Sequence, residues 1–426
     1  MLTQATSRLF NAAVPKLATK AFFSTKVSVV DSAKNFSSAA AAYEAPALDM
    51  GINSEFSVVF TDRSLNHMAQ PFQQVMNDLN HTLTTTYNCS KSIIMPGSGS
   101  YGMEAVARQF ASPEDHVMVM RQGWFSYRWT EMFDQPGANL VASHTVLKAL
   151  PLEEGVNPSF GPWDVDAVIA KVNLEKPKVF FTPQVETSTG IMLPDEYIRK
   201  VSDAVHANGG IFVLDCIASG TIWCDMTKCG VDVLISAPQK GWSGPAGSAL
   251  LMLSDRALAQ LPVTCSSSFA LSLNKWDTIM NAYLEGGHAY HTTMPTDSIR
   301  QFHEVTKEME SIGMEELKQR QTELGAKSRK MFEDRGLKSV AGADFAAPGV
   351  LVYYSPAEYD NPTMVKRFME KKMQIAMGVP WMIDEGPTKT FRIGLFGIDK
   401  LMDIDGTCQK LDAVTAEVIG QSNMYG

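Results

Sequence analysis

The sequence predicts an α/β fold with a mostly parallel sheet, followed by a smaller α+β domain. From about residue 90, short apolar runs rich in β-branched residues alternate with helical patterns, which is typical of parallel sheets covered by helices. From Pro295 the sequence changes to a long charged helical stretch and then to alternating strands and helices. The chain has 426 residues, 45% of them hydrophobic, which is enough for more than one domain. We predict a large domain at 55–300 and a small domain at 301–426.

The individual elements follow from the period of the apolar residues. The predicted strands of the large domain are 116–120, 178–181, 211–215, 231–236 and 248–253, and its helices are 103–110, 163–172 and 195–208. The last of these helices has acidic residues in its first turn and two glycines after its end, as helix termini favour. The C-terminal region predicts a helical stretch broken at Gly313, strands at 349–354 and 389–395, and helices at 362–373 and 400–419.

The N-terminal segment differs from the rest of the chain. Residues 1–30 contain four basic residues, no acidic residue and many Ser, Thr and Ala residues. This composition is typical of a mitochondrial transit peptide, so we expect a mitochondrial matrix protein, with 31–54 as a linker. An ordinary disordered tail is the alternative, and the composition does not separate a mitochondrion from a plastid.

The overall charge and the cysteines exclude several classes of function. The net charge is −9, which disfavours binding to nucleic acids or membrane surfaces, because both partners are polyanionic. No apolar run reaches the roughly 18 residues that span a bilayer. The six cysteines form no CxxC pair, so we expect buried thiols in a reducing compartment and no metal site.

Two residues at predicted strand ends indicate chemistry. Asp215 ends one buried strand and Lys240 follows the next, within SAPQKGWSGPAG. Parallel strand ends meet at one edge of a sheet, where such sheets bind ligands. A desolvated lysine can form a Schiff base, and a carboxylate can keep a ring nitrogen protonated, which is the pair that pyridoxal 5'-phosphate (PLP) requires. A structural ion pair between the two residues is the alternative.

Two further segments suggest anion binding. In IIMPGSGSYGMEA, an apolar run leads through glycines into a helix, so Ser98, Ser100 and the first helical amides could bind a phosphate. The segment matches neither GxGxxG nor a Walker loop. In FRIGLFG, Arg392 lies between apolar residues on a predicted strand and needs an anion, either a substrate carboxylate or a structural acid.

Together these segments, with VLDCIASG, ETSTG and the downstream GPAG, resemble the fold-type I PLP enzymes of aminotransferase class V. Within that class they look most like the group of alanine–glyoxylate and serine–pyruvate aminotransferases. The resemblance covers roughly residues 60–420 and implies a seven-stranded, mostly parallel sheet sandwiched by helices, with PLP as the cofactor. It also implies a homodimer with shared active sites.

The resemblance implies a role for each matching residue. Lys240 is similar to the Schiff-base lysine and Asp215 to the acid on the pyridine nitrogen, while Arg392 is similar to the arginine that binds the substrate carboxylate. The other cofactor-binding residues that it implies are Ser98, Gly99, Ser100, Phe125, Thr187, Ile217 and Gln239, with Tyr290 and Thr293 reaching the phosphate of the neighbouring subunit.

One segment departs from the family pattern. The family opens with a GPGP-like or GPTP-like stretch and then H-R-S-x-x-F, whereas this chain reads EFSVVFTDRSLNHMAQPF. His67 and Phe72 match part of the second motif, but Met68 replaces its arginine. That segment lines the substrate mouth in the family, so the departure bears on the substrate more than on the reaction.

The function that follows is transamination of a small amino acid of the alanine or serine type with a 2-oxo acid such as glyoxylate or pyruvate. A 2-aminoethylphosphonate–pyruvate aminotransferase and a class V lyase are the alternatives. A cysteine desulfurase would need a reactive cysteine on a loop after Arg392, but only Cys408 follows, in a predicted helix. A nucleotide-binding oxidoreductase lacks its glycine motif, and a non-catalytic scaffold would not require the lysine, aspartate and arginine together.

Overall fold

The computed structural model describes residues 54–384 and 389–420, so the predicted leader and nearly all of the predicted linker lie outside the described residues. The helices are α1 (Gln70–Tyr87), α2 (Gly99–Phe110), α3 (Trp124–Asp134), α4 (Val165–Glu175), α5 (Asp195–Ala207), α6 (Met226–Cys229), α7 (Asp255–Gln260), α8 (Leu273–Leu284), α9 (Thr296–Ile312), α10 (Met314–Glu333), α11 (Asn361–Glu370), α12 (Ile398–Met402) and α13 (Ile404–Ile419). The strands are β1 (Lys91–Gly97), β2 (His116–Arg121), β3 (Ser143–Lys148), β4 (Leu150–Pro151), β5 (Phe160–Gly161), β6 (Val179–Pro183), β7 (Ile211–Asp215), β8 (Val233–Ser236), β9 (Gly247–Leu253), β10 (Val350–Tyr354), β11 (Ala376–Met377) and β12 (Thr390–Gly394).

Seven strands form the central sheet, in the order β1-β9-β8-β7-β6-β2-β3. Strand β9 is antiparallel to both of its neighbours, while β8, β7, β6, β2 and β3 are mutually parallel. Strand β1 therefore runs in the same direction as the parallel set. The predicted α/β class and the seven-stranded, mostly parallel sheet are confirmed.

The middle of this sheet is buried on both faces. Every residue of β6, β7 and β8 is buried. Since side chains alternate between the two faces of a strand, helices and loops must cover both. On one face the rings of Phe180 and Phe212 stack with centroids 5.6 Å apart. This explains why these strands read as continuous apolar runs rather than as alternating patterns.

A smaller antiparallel sheet follows, in the order β10-β12-β11. Alternation along β12 buries Phe391 and Ile393 on one face, which leaves Arg392 on the other. The predicted division between the domains, at 300/301, falls inside helix α9 and stays a prediction. Within 54–384 and 389–420, the helices are all too short or too polar to cross a bilayer.

The predicted helices at 103–110, 163–172 and 195–208 are present, with starts that differ by up to four residues. The predicted break at Gly313 separates α9 from α10. Helices α1, α3 and α8 and the edge strand β3 were missed. Helix α1 repeats apolar residues at helical spacing (Phe72, Val75, Met76, Leu79 and Leu83), but its many Thr and Asn residues are poor helix formers. Strand β3 is only partly buried and gives no clear alternation.

Candidate functional site

The candidate site lies at the carboxyl ends of five strands that run in one direction. Strands β1, β2, β6, β7 and β8 end within a few residues of the predicted site residues. Register pairs Pro183 with Asp215, and Asp215 with Ile235, so these three strand ends are level. Parallel pairing therefore brings residues distant in sequence to one edge, as the sequence predicts.

Asp215 is a buried carboxylate with little hydrogen bonding. It is 6% exposed, and the hydrogen bond described for its side chain comes from the Ile217 backbone N–H, 2.9 Å from Oδ1. Burial raises the pKa of Asp215 to about 6, although this hydrogen bond and the charges of Lys240 and Arg128 oppose the shift. Such a carboxylate would be stabilised by a cationic or N–H partner at the end of β7.

Lys240 lies on the turn after β8 and is half-buried. Burial lowers the pKa of its amine, and the charges of Arg392 and Arg128 lower it further, against the opposing effect of Asp215. The next residue must be glycine, because a Cβ on Gly241 would lie 1.9 Å from the Gly220 carbonyl oxygen. The turn that carries Lys240 therefore packs directly on the backbone of the segment after β7, at Gly220.

The Phe125 ring is the centre around which three cationic groups assemble. Lys240 Nζ lies 5.8 Å from the ring centroid, and the guanidinium carbons of Arg128 and Arg392 lie 5.0 Å and 5.6 Å from it. These distances are within the range of cation–π contacts. In the part of the chain that the structure describes, no carboxylate lies within 4.0 Å of any of the three. The site is therefore a cationic pocket on an aromatic face.

Glu186 fixes the position of this ring. Its carboxylate is fully buried and accepts hydrogen bonds from the backbone N–H of Phe125 and Ser126, at 3.1 and 2.8 Å. It also accepts from the Ser126 hydroxyl and from the N–H and hydroxyl of Ser188, at 2.7–3.0 Å. A carboxylate at a helix N-terminus satisfies free donors and complements the helix dipole. Glu186 thus anchors the first turn of α3.

The predicted phosphate-binding segment forms the junction between β1 and α2. Ser98 is the N-cap of α2, but its hydroxyl makes no capping hydrogen bond. Gly99 has no room for a side chain, since a Cβ there would lie 2.4 Å from Ile217 Cδ1. Arg128 donates a 2.7 Å hydrogen bond to the Ser100 hydroxyl. A helix N-terminus with free amides and an arginine beside it is suited to an oxyanion.

Arg392 reaches this pocket from the small sheet. On β12 it pairs with Val352 of β10 and Ala376 of β11, and its Nε donates to the Met377 carbonyl at 2.9 Å. Among the described residues, no carboxylate forms an ion pair with Arg392, so the alternative of a structural acid partner is not supported. The rest of the guanidinium remains available to an anion that enters between the two sheets.

Of the other predicted cofactor-binding residues, some lie at this site and others do not. Thr187 follows Glu186 and is buried, and Ile217 lies over Gly99. Gln239 precedes Lys240, and its exposed side chain makes no hydrogen bond to the described residues. Tyr290 and Thr293 are exposed and are hydrogen-bonded to each other at 3.1 Å, without a described contact to the pocket.

Sequence reasoning missed Arg128 and the anchoring role of Glu186. The resemblance pointed to Phe125 and the ETSTG loop, but no helix was predicted at α3. This hid the fact that Arg128 lies one turn after Phe125 on the same face of the helix. Cys408 lies within α13, as predicted, with its sulfur 3.8 Å from the Ser328 hydroxyl oxygen, and so offers no mobile loop thiol. The expectation of buried thiols holds for Cys216, Cys224 and Cys229 but is wrong for the exposed Cys265.

Comparison with known proteins identifies relatives of this sequence and fold. The family described as Aminotransferase class-V matches residues 35–378. The 2-aminoethylphosphonate–pyruvate transaminase of Salmonella paratyphi A is 27% identical, over 76% of this chain and 84% of that protein. A protein described as the small subunit of a soluble hydrogenase, from Synechococcus, is 27% identical over 84% of this chain and 88% of its own length.

Solved structures show the same fold. The alanine–glyoxylate aminotransferase of Nostoc superposes with a TM-score of 0.70 at 20% identity, covering 82% of this chain and 89% of that one. The pyridoxamine–pyruvate aminotransferase of Mesorhizobium loti superposes with a TM-score of 0.67 at 20% identity, covering 84% and 86%. At these identities the likeness concerns the fold.

The raised pKa of Asp215 predicts a pH-dependent stability. A carboxyl whose folded pKa of about 6 exceeds its ordinary 3.8 contributes stability at low pH that is lost as pH rises through 6. Relative to Asp215→Asn, the ligand-free protein should therefore lose about 3 kcal/mol of unfolding free energy between roughly pH 4 and pH 6, then level off. Urea denaturation of both proteins across this range measures the difference. Asp344→Asn, which removes an exposed carboxylate, controls for the loss of one charge; a constant difference would contradict the assignment.

Glu186→Gln should destabilise the start of α3. The amide NH₂ would face backbone donors that now bind a carboxylate oxygen, so we expect a loss of roughly 2–3 kcal/mol in the free energy of unfolding. Urea denaturation followed by circular dichroism measures it, with the exposed Glu154→Gln as a matched control expected within about 0.5 kcal/mol of wild type. Equal stability of the two variants would show that the carboxylate does not anchor the helix.

Proposed function

We propose a transamination of small amino acids for this chain, which belongs to aminotransferase class V and is a PLP-dependent enzyme. The amino donor is of the alanine or serine type, and the acceptor is a 2-oxo acid such as glyoxylate or pyruvate. The observation that carries the proposal is the assembly of Lys240, Arg128 and Arg392 around the Phe125 ring, without carboxylate partners within the described residues.

The groups at this edge fit PLP by their chemistry. The free amides at the start of α2 and the Arg128 guanidinium suit its phosphate. The Phe125 face suits its ring, and the carboxylate of Asp215, with a single described hydrogen bond, suits its ring nitrogen. Lys240 would hold its aldehyde carbon covalently. Bound PLP supplies an electron sink for the pair of electrons left when a substrate Cα loses its proton.

Lys240 serves as the base in this proposal. Once the substrate amine has replaced it on the cofactor, the freed Lys240 amine would take the proton from the substrate Cα, hold it at Nζ and release it again. A general base works best when its pKa lies near the working pH, and burial together with two neighbouring guanidinium groups lowers the pKa of Lys240 in that direction.

Asp215 and Arg392 have different roles in this proposal: Asp215 acts on the charge of the cofactor ring, and Arg392 positions the substrate. Asp215 would keep a proton on the ring nitrogen of bound PLP, since a buried carboxylate gains most from a cationic partner. Arg392 grips the substrate carboxylate and so orients the Cα–H bond toward Lys240. A planar guanidinium matches a carboxylate with two parallel hydrogen bonds, which fixes direction as well as position.

A second candidate is transamination of 2-aminoethylphosphonate. It is favoured by the 27% identity to the Salmonella transaminase that is described as acting on this compound and pyruvate. The phosphonate would occupy the place of the carboxylate at Arg392. The guanidinium binds both anions, so the chemistry of Arg392 suits either donor.

We also propose that two copies of the chain share their sites. Tyr290 is 55% exposed and lies on the chain between α8 and α9, where it packs on His67 at 5.4 Å between ring centroids. This places the N-terminal segment that departs from the family pattern beside Tyr290. If Tyr290 reaches the neighbouring phosphate, His67 would lie near the mouth of the neighbouring site.

A half-reaction tests the proposed function. The purified protein is mixed with single donors, namely alanine, serine, glycine, aspartate or 2-aminoethylphosphonate, and the visible absorption band of the bound cofactor is recorded. We expect alanine or serine to discharge the band and Lys240→Ala to lack both the band and turnover. Discharge by 2-aminoethylphosphonate alone would replace the main proposal with the second, and no discharge by any donor would exclude transamination of these compounds.

Arg392→Gln tests the substrate grip. Removing one partner of a buried charge pair should lower kcat/KM for the amino acid by roughly a hundredfold or more, while the cofactor band remains. Arg320→Gln, which breaks a pair with Glu316 on α10, is the matched control and should leave kcat/KM unchanged. An unchanged kcat/KM in Arg392→Gln would place the carboxylate elsewhere.

Shared sites can be tested by mixing two inactive variants. Lys240→Ala and Tyr290→Ala should each have little activity alone. After denaturation and joint refolding, the mixed dimer would contain one site with both native residues, so about a quarter of wild-type activity should return. If no activity returns although mixed dimers form, or if Tyr290→Ala is fully active alone, the sites are not shared through Tyr290.

A further inference from the structure

Three of the six cysteines lie together behind the site, in the connection between β7 and β8. Cys216 follows Asp215 directly, Cys224 lies two residues before the short helix α6, and Cys229 is the last residue of α6. Cys224 and Cys229 are 0% and 2% exposed. The proposed transamination uses none of these thiols, and their five-residue spacing matches no common zinc motif, which is why the sequence predicts no metal site.

The fold adds a third ligand from another element. Asp195 is the first residue of α5, and one of its carboxylate oxygens and the sulfurs of Cys224 and Cys229 all lie within 4.8 Å of one another. Two hydrogen bonds fasten α5 to α6 nearby. The Ser202 hydroxyl donates to the Cys229 carbonyl at 2.7 Å, and Arg199 donates to the Lys228 carbonyl at 3.2 Å. The three ligand atoms are thus brought together by helix packing.

The chemistry of this group is that of a thiophilic metal site. Zinc binds thiolate sulfur at about 2.3 Å and carboxylate oxygen at about 2.1 Å, so tetrahedral ligands lie roughly 3.5–4 Å apart. Small side-chain rotations would bring the three atoms from within 4.8 Å to that spacing. Asp195 is exposed whereas both thiols are buried, so an ion would enter from the Asp195 side and keep a water as its fourth ligand.

We propose that Asp195, Cys224 and Cys229 form a zinc site. The ion would tie α5 to the chain segment that leads from Asp215 to Lys240. That segment is already fastened to the helix α10, because the Thr221 hydroxyl donates to the Leu317 carbonyl at 2.8 Å and the Trp223 indole donates to the Met314 carbonyl at 3.0 Å. Zinc would therefore act as a structural ion behind the catalytic edge, without contact with substrate.

Metal titration of the PLP-bound protein tests this site. The protein is treated with a chelator, dialysed and titrated with Zn²⁺ against a chromophoric indicator, and separately with Co²⁺ to detect thiolate-to-metal absorption. We expect one ion per chain and a Co²⁺–thiolate band, both lost in Cys224→Ser and Cys229→Ser. Asp195→Asn should weaken Zn²⁺ binding by roughly tenfold or more. Cys265→Ser removes an exposed thiol and is the matched control, expected to match wild type.

A variant of a buried cysteine could fail to fold, but Asp195 is exposed, so Asp195→Asn still tests the site in that case. The absorption band of bound PLP and the circular dichroism spectrum show whether each variant is folded. Absence of the Co²⁺–thiolate band in wild type would overturn the proposal. Undiminished Zn²⁺ affinity in Asp195→Asn would overturn it as well, and so would one Zn²⁺ per chain in the folded cysteine variants.

Discussion

The buried carboxylate of Glu186 is the contact on which the geometry of the site depends. It accepts five hydrogen bonds, two of them from the backbone of the first turn of α3, and this turn carries Phe125. A carboxylate saturated by donors in a dry environment has one favourable position. Because Lys240 and Arg392 both contact the Phe125 ring, a shift of α3 would change both contacts at once and would move Arg128, which lies on the same helix.

The charge balance of the pocket explains why it would bind anions. Burial lowers the pKa of Lys240 and outweighs the negative charges of Asp215 and Glu186, which both act to raise it. Burial likewise lowers the pKa of Arg392, although the charge of Glu186 acts to raise it. Three partly desolvated cations on one aromatic face are costly without counter-charges. A phosphate and a carboxylate would relieve this cost, so ligand binding and stability of the folded chain should rise together.

The strand ends could be predicted from the sequence because continuous apolar runs and their terminal polar residues carry a clear signal. Lys240 and Asp215 were found this way, and parallel pairing then places them together. Arg128 was not found in this way, because α3 begins with aromatic residues, which in a sequence usually indicate buried core residues. The thiol and carboxylate group of Asp195, Cys224 and Cys229 was also invisible, since one ligand comes from a helix 29 residues before the nearest thiol.

The position of Arg392 relative to Lys240 is set by contacts between loops rather than by strand register, because the two residues belong to different sheets. The backbone N–H of Ile398, after Arg392, donates to the Ser243 hydroxyl, after Lys240, at 3.0 Å. Gln321 of α10 adds a bond to the Leu395 carbonyl at 3.3 Å. These bonds fix the span between the amine that acts on Cα and the guanidinium that binds the anion. That span, more than the chemistry of either group, decides whether a carboxylate on Cα or a phosphonate one carbon further away fits the site.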